Sequence, residues 1–147
     1  MQIDITPYDG QPFGGAKLAL YLGDSLAVIL RDAKPGLIFA DHWDLPGGGR
    51  ENEENPLECA LRECHEELGL TVPHDSILWG RKFLEGSEAK WFFVAQMPQK
   101  TAGDVVFGDE GQEWKLMDET TFMEHPKAVP AFQDRVALWC ADRGLKG

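Results

Sequence analysis

Apolar residues along this chain come in short runs divided by glycine and proline. Residues 16–22 and 26–31 are apolar runs of strand length around a Gly23-Asp24 turn, and they predict a buried hairpin. Residues 77–84 and 90–97 predict two more strands, with Glu85-Gly86-Ser87 as the turn between them. Residues 113–117 predict a further short strand. Ahead of them, Pro7, Gly10, Pro12, Gly14 and Gly15 predict irregular chain with one short strand at most, and residues 43–49 read as a loop. Two stretches change to the helical period. In residues 130–143, Phe132, Val136, Trp139 and Cys140 recur at i, i+4, i+7 and i+8, with Gly144 as the expected stop. The other helix, Pro56–Leu68, opens with Asn55-Pro56-Leu57-Glu58. That is a cap, a proline at the first turn and a glutamate placed for a capping box, and Gly69 stands at the end. Strands outnumber helices and helices separate groups of strands, which predicts an α/β (α+β) domain with helices packed on a mixed sheet.

At about 100° per residue, the second helix sorts its side chains into faces. Leu57, Ala60, Leu61, Cys64 and Leu68 form one stripe and are predicted to face the core. Glu63, Glu66 and Glu67 stand at i, i+3 and i+4 and share another face, while His65 points outward. Cys59 falls on the glutamate side, where a small residue beneath the site is the expectation. The stretch Arg62-Glu63-Cys64-His65-Glu66-Glu67-Leu68 holds the atom types of a zinc site. Its thiol and imidazole diverge, however, and neither an HExxH nor a CxxC spacing is present. Three adjacent carboxylates repel one another unless a cation is shared, and oxygen ligands suit hard ions such as Mg²⁺ or Mn²⁺.

Charge and composition narrow the picture further. The chain of 147 residues fits one domain, with residues 1–147 as a single unit, and its net charge is −11. Such a charge disfavours a nucleic-acid polymer as partner, because no basic surface is there to release counterions. A small anionic ligand held through a cation stays compatible with it. Nine carboxylates lie between Asp41 and Glu67 against two basic residues, Arg50 and Arg62. This is either a solvated acidic face or a cation site. No apolar run approaches the roughly 20 residues of a membrane span. Three cysteines without framework spacing and the lack of a signal-peptide pattern lead to an expectation of a cytoplasmic protein with reduced thiols. Nothing reads as a coiled coil. Gly14-Gly15-Ala16-Lys17 lacks the spacing of a P-loop.

Leu45-Pro46-Gly47-Gly48-Gly49 precedes the acidic segment, and its glycines let the backbone approach a ligand closely. Gly48, five residues, Glu54, seven residues, then Arg62-Glu63-Cys64-His65-Glu66-Glu67-Leu68-Gly69-Leu70 resembles the Nudix box, GX5EX7REUXEEXGU. Every fixed position is matched. Cys64 stands where the first bulky aliphatic residue is usual. The resemblance implies a Nudix-type α/β/α sandwich with a mixed β-sheet and the box at residues 48–70. It also implies an Mg²⁺- or Mn²⁺-dependent hydrolase of a nucleoside diphosphate linked to a further group, similar to the MutT-like pyrophosphohydrolases. On that reading Glu63, Glu66 and Glu67 hold the metal, joined by the Gly47 carbonyl and by Glu110, with Glu113 as second choice for the last. Glu63, ahead of Glu66, is the expected general base, and Arg62 orients carboxylates one turn away or pairs with Glu54. Trp43, Phe83, Trp91 and Phe93 are candidates either to stack a base or to fill the core. Features tied to particular substrates within the family are absent. No tyrosine follows the box, and no asparagine follows Asn55. The alternatives are a non-catalytic nucleotide-sensing module, or a hydrolase of ADP-ribose or another nucleotide sugar.

Overall fold

The computed structural model describes residues 3–146. In chain order the elements are β1 (Asp4–Ile5), β2 (Gly15–Leu22), β3 (Ser25–Leu30), β4 (Trp43–Asp44), β5 (Gly47–Gly49), α1 (Pro56–Leu68), β6 (Ile77–Glu85), β7 (Glu88–Met97), β8 (Glu113–Asp118), α2 (Glu119–Glu124) and α3 (Pro130–Lys146). Single 3-10 segments at His74–Ser76 and Gln99–Asp104 join the strands.

The eight strands form one mixed sheet in the order β1-β6-β7-β2-β3-β4, with β5 added to β2 and β8 added to β3. Pairing is parallel for β1 with β6 and for β2 with β7, and antiparallel elsewhere. β2 is the axis of the molecule. Its whole length lies against β7, while its other edge is divided. Tyr21 and Leu22 pair with β3, and Gly15, Ala16 and Lys17 pair with Gly49, Gly48 and Gly47. The strand that carries the glycines is therefore pinned to the middle of the sheet.

Alternation along the strands gives the sheet two apolar faces. Leu18, Leu20, Trp91 and Phe93 pack with Cys59, Ala60, Cys64 and Leu68 of α1. Ala19, Tyr21, Phe92 and Val94 pack on the other face with Phe122 of α2 and with Phe132, Val136 and Trp139 of α3. The result is the expected three-layer arrangement, with α1 on one face and α2 and α3 on the other. Trp43, Trp91 and Phe93 are buried core residues.

α1 has the bounds that the sequence predicts, and its cap works in both directions. The Glu58 amide donates to Asn55 Oδ1 at 2.8 Å and the Asn55 amide donates to Glu58 Oε1 at 2.9 Å. Gly69 ends the helix at φ 68°. Asn55→Ala is expected to lower stability by about 1 kcal/mol, read as a drop in the urea midpoint without a change in slope.

Two expectations need correction, and one element has no counterpart in the sequence pattern. Residues 43–49 are not all loop, since β4 and β5 lie within them, held by β3 and β2. Such strands arise from partners far along the chain, and a Leu-Pro-Gly-Gly-Gly run has no alternation to announce them. α3 does not stop at Gly144 but runs to Lys146. Glycine lowers helix propensity by about 1 kcal/mol without breaking a helix that is already docked. α2 was not anticipated. Six residues are too few for a periodic signal, and Asp118, which accepts from the amides of Thr120 and Thr121, supplies its start. Among the described residues no helix is long and apolar enough to cross a membrane.

Candidate active site

The local fold around α1 gathers carboxylates at its exposed edge. Asn52 turns the chain at φ 53°, and the Glu51 amide donates to Glu54 Oε1 at 2.8 Å. This bend folds the segment before the cap back over the middle of the helix. Carboxylate oxygens of Glu51, Glu63 and Glu66 consequently lie within 4.8 Å of one another. One cation serves all three. Arg62 Nη1 lies 3.0 Å from Glu51 Oε2, 3.0 Å from Glu63 Oε1 and 3.1 Å from Glu66 Oε2.

Arg62 is held in turn by Glu54. Its Nε donates to Glu54 Oε2 at 2.6 Å and its Nη2 to Glu54 Oε1 at 3.1 Å, a two-point pairing, while Nη2 also donates to the Gly49 carbonyl at 2.8 Å. The guanidinium so placed holds the Glu54 carboxyl below the usual carboxylate range. Glu54 thus fixes Arg62, and Arg62 fixes the cluster.

Burial shapes the acidity of the helix face. It pushes the Glu63 carboxyl above its ordinary value, and the hydrogen bond shared with Glu66 adds to this. The same bond holds Glu66 below its ordinary value. Glu67 is sunk deeper. Burial pushes it up to about 7, against the opposing pull of Lys17 and of the Gly47 amide, which donates to Glu67 Oε1 at 2.8 Å. Glu67 lines the same cavity as Glu63 and Glu66 but stands outside the tight cluster, tied to the glycine strand. The Gly47 carbonyl accepts from Lys17 Nζ at 3.0 Å.

The cavity above this face has a volume of about 490 Å³. Its wall joins Glu51, Glu63, Glu66 and Glu67 to Asp109 and Glu110 from the loop before β8. Glu110 is therefore brought to the site. Glu113 lies in β8, paired with Leu30, and is not on this wall. Gly48 lies against the Glu63 carboxylate, because a Cβ there would lie 1.7 Å from Glu63 Oε2.

The donor set can be tested against a divalent ion. It consists of oxygens alone, it converges, and in the protein it draws in a guanidinium nitrogen as its shared cation. A hard ion such as Mg²⁺ or Mn²⁺ fits such a set. A zinc site does not, because Cys64 is buried under the helix and His65 is exposed on its outer side.

Two contributors were not singled out from sequence. Glu51 is one acid among nine, and only the bend at Asn52 selects it. Lys17 looked like a strand residue, yet its ammonium reaches Asp44 at 3.2 Å and the carbonyls of Leu45 and Gly47 at 3.1 and 3.0 Å. It ties the glycine strand to β4.

Both cysteines of α1 are buried, and Cys59 Sγ contacts the Gly48 carbonyl at 3.5 Å, just under the cluster. Burial pushes the Cys59 thiol up to about 11 and the Cys64 thiol up to about 12. Both thus stay protonated, and slow to react, at pH 8. Iodoacetamide followed by peptide mass spectrometry should label them only after unfolding. Rapid labelling of Cys64 in the native protein would contradict its core position.

The NUDIX domain family model matches residues 19–140. Among curated proteins the chain is 33% identical over 91 residues to an RNA pyrophosphohydrolase of Bartonella henselae, covering 60% of this chain and 47% of that protein. It is 25% identical over 107 residues to human diphosphoinositol polyphosphate phosphohydrolase 2, covering 70% of this chain and 59% of that one. The matched part therefore spans about half the length of these relatives. Among solved structures, a MutT protein from Methanosarcina mazei aligns with a TM-score of 0.68 at 20% identity, over 93% of this chain and 98% of that one. A Caenorhabditis elegans Ap4A hydrolase gives the same TM-score at 19% identity, over 88% and 98%. Fold, acidic helix and family match agree, and the chain belongs to the NUDIX domain family.

Proposed function

We propose that this protein hydrolyses a phosphoanhydride bond in a nucleoside diphosphate linked to a further group, with Mg²⁺ or Mn²⁺ held by α1. The observation that carries this reading is the convergence of Glu51, Glu63 and Glu66 on one cation beside a strand of three glycines. The metal set proposed is Glu63, Glu66 and Glu67, with Glu51 added and with the Gly47 carbonyl and Glu110 at its margins. An ion bound there supplies neutralisation of the polyphosphate and a lowered pKa for a bound water. Without it, a chain of net charge −11 would repel its substrate.

The chain's own residues supply the rest. Glu63 takes the proton of the attacking water, since it is half-buried where Gly48, Arg62 and Glu66 meet. Glu66 is more exposed, which suits a ligand better than a base. Arg62 and Glu54 are positioning residues that set the angle of both. Glu67 anchors the helix to the Gly47 amide and so holds the glycine strand at a fixed distance from α1.

The named activities of the relatives, on RNA and on diphosphoinositol polyphosphates, have a phosphate-linked substrate in common. The acidic surface here favours a small nucleotide over a polymer.

The test is a panel of nucleoside triphosphates, nucleotide sugars and dinucleotides, followed by ³¹P NMR with Mg²⁺, with Mn²⁺ and with EDTA. Metal-dependent release of phosphate, pyrophosphate or a nucleoside monophosphate is expected. Tight binding by calorimetry without turnover anywhere in the panel would support a nucleotide sensor instead.

A further inference from the structure

The glycine strand β5 has two sides. Glu63 reaches Gly48 from the α1 face. On the α3 face a second cavity of about 160 Å³ is lined by Gly48 and Gly49 and by Lys17, Lys90, Arg135 and Glu85. Gly49 also lines the acidic cavity, so the two spaces meet at a wall of bare backbone.

Arg135 is the principal feature of this second cavity. It is only 7% exposed, and its Nη2 donates to Glu85 Oε2 at 2.7 Å. Its guanidinium lies 4.6 Å from the Phe83 ring and 5.8 Å from the Phe132 ring, which fixes its plane. Arginine carries five N–H donors in a flat fork. Arg31 Nε and Trp91 Nε1 are the buried side-chain nitrogens without partners among the described residues, so the remaining donors of Arg135 are not sealed off. Arg135 stands on the wall of this cavity.

The charge on this wall runs against that of the chain. Lys17, Lys90 and Arg135 face one carboxylate, Glu85, in a protein with 14 basic and 25 acidic residues. Lys17 and Lys90 do have acidic partners, Asp44 at 3.2 Å and Glu88 at 2.9 Å, but both carboxylates stand outside the wall. A neutral ring would use the fork of Arg135 alone. An oxyanion uses the fork and meets a wall on which cations outnumber carboxylates.

We propose that this cavity is a subsite for a second oxyanion, a phosphate or carboxylate carried by the substrate away from the anhydride that is cut. Arg135 is its specificity-determining residue and Lys90 its outer contact. This rests on the hydrolase reading for the word substrate, but the binding preference does not depend on turnover.

The experiment is calorimetric binding, in EDTA and again with Ca²⁺ to neutralise the acidic face, with two matched pairs of probes, adenosine 3′,5′-bisphosphate against AMP and UDP-glucuronate against UDP-glucose. At least one pair should favour the member with the extra oxyanion by about tenfold or more, the scale of a charge-assisted fork contact. The first pair reports phosphate and the second carboxylate. Arg135→Gln should bring the ratio to near one, Arg135→Lys should recover part of it, and Lys90→Gln should reduce it. Thermal melts check that each variant folds, and Lys90, with its side chain 31% exposed, keeps the proposal testable if Arg135→Gln does not. Ratios near one for both pairs in the wild type, or a ratio unchanged in folded Arg135→Gln, would overturn the subsite. A failed hydrolysis panel with an intact binding ratio would instead count against the hydrolase reading alone.

Discussion

Glu63→Gln lowers kcat by about 100- to 10,000-fold, the range for losing a positioned general base, while leaving the fold intact. Glutamine keeps the shape of the side chain and removes both its charge and its ability to take a proton. Glu63 is where the elements of the site meet. Gly48 lies against its carboxylate, Arg62 donates to it, and Glu66 shares a hydrogen bond with it. Glu66→Gln and Glu67→Gln should also reduce turnover. Glu113→Gln, on an exposed residue of β8 away from the cavity, should not. Steady-state kinetics at saturating metal, with circular dichroism to check folding, measures this. Full activity in Glu63→Gln with a loss in Glu66→Gln would move the base to Glu66.

Gly47→Ala should be the most destabilising single methyl addition near the site, at about 2–6 kcal/mol from backbone strain and overpacking together. Gly47 sits at φ 138°, where L side chains are strained, and an added Cβ would lie 2.3 Å from the Ala16 carbonyl oxygen and 2.6 Å from Lys17 Cα. Both obstacles belong to the backbone of β2, the central strand, so neither can move cheaply. Such a loss is a large share of the stability of an ordinary domain. Gly48→Ala makes a useful contrast. Its new methyl meets the end of the Glu63 side chain, which can swing aside. Stability should fall less and activity more. Urea unfolding of both variants beside their kinetics separates the two effects, and an unchanged midpoint in Gly47→Ala would contradict the register of β5.

What could be read from sequence was whatever a local rule governs. Asn55, Pro56, Glu58 and Gly69 act within a few residues of one another, so the bounds of α1 follow from them. The period of Ala60, Cys64 and Leu68 gives the buried face, and the faces of Glu63 and His65 then follow by rotation. The elements that could not be read depend on distant partners. β5 is a strand because Gly15–Lys17 lie beside it, not because three glycines favour extension. Glu51 joins the cluster through the bend at Asn52 and the reach of Arg62, neither of which leaves a periodic trace. Lys17 and Arg135 belong to opposite ends of the chain and meet only across the folded sheet.

The site follows one structural logic. Repelling carboxylates are forced together by a helix, a bend and a two-point arginine pairing, and a shared cation relieves them. In the protein that cation is Arg62 Nη1. A divalent ion is expected to take over this role. Titration of the protein with Mn²⁺, followed by the loss of free-ion EPR signal, tests it without any choice of substrate. Saturable binding is expected in the wild type, weakened strongly in Glu63→Gln and in Glu66→Gln and unchanged in Glu113→Gln. Equal binding by all four proteins would contradict the assignment of the metal to the acidic face of α1.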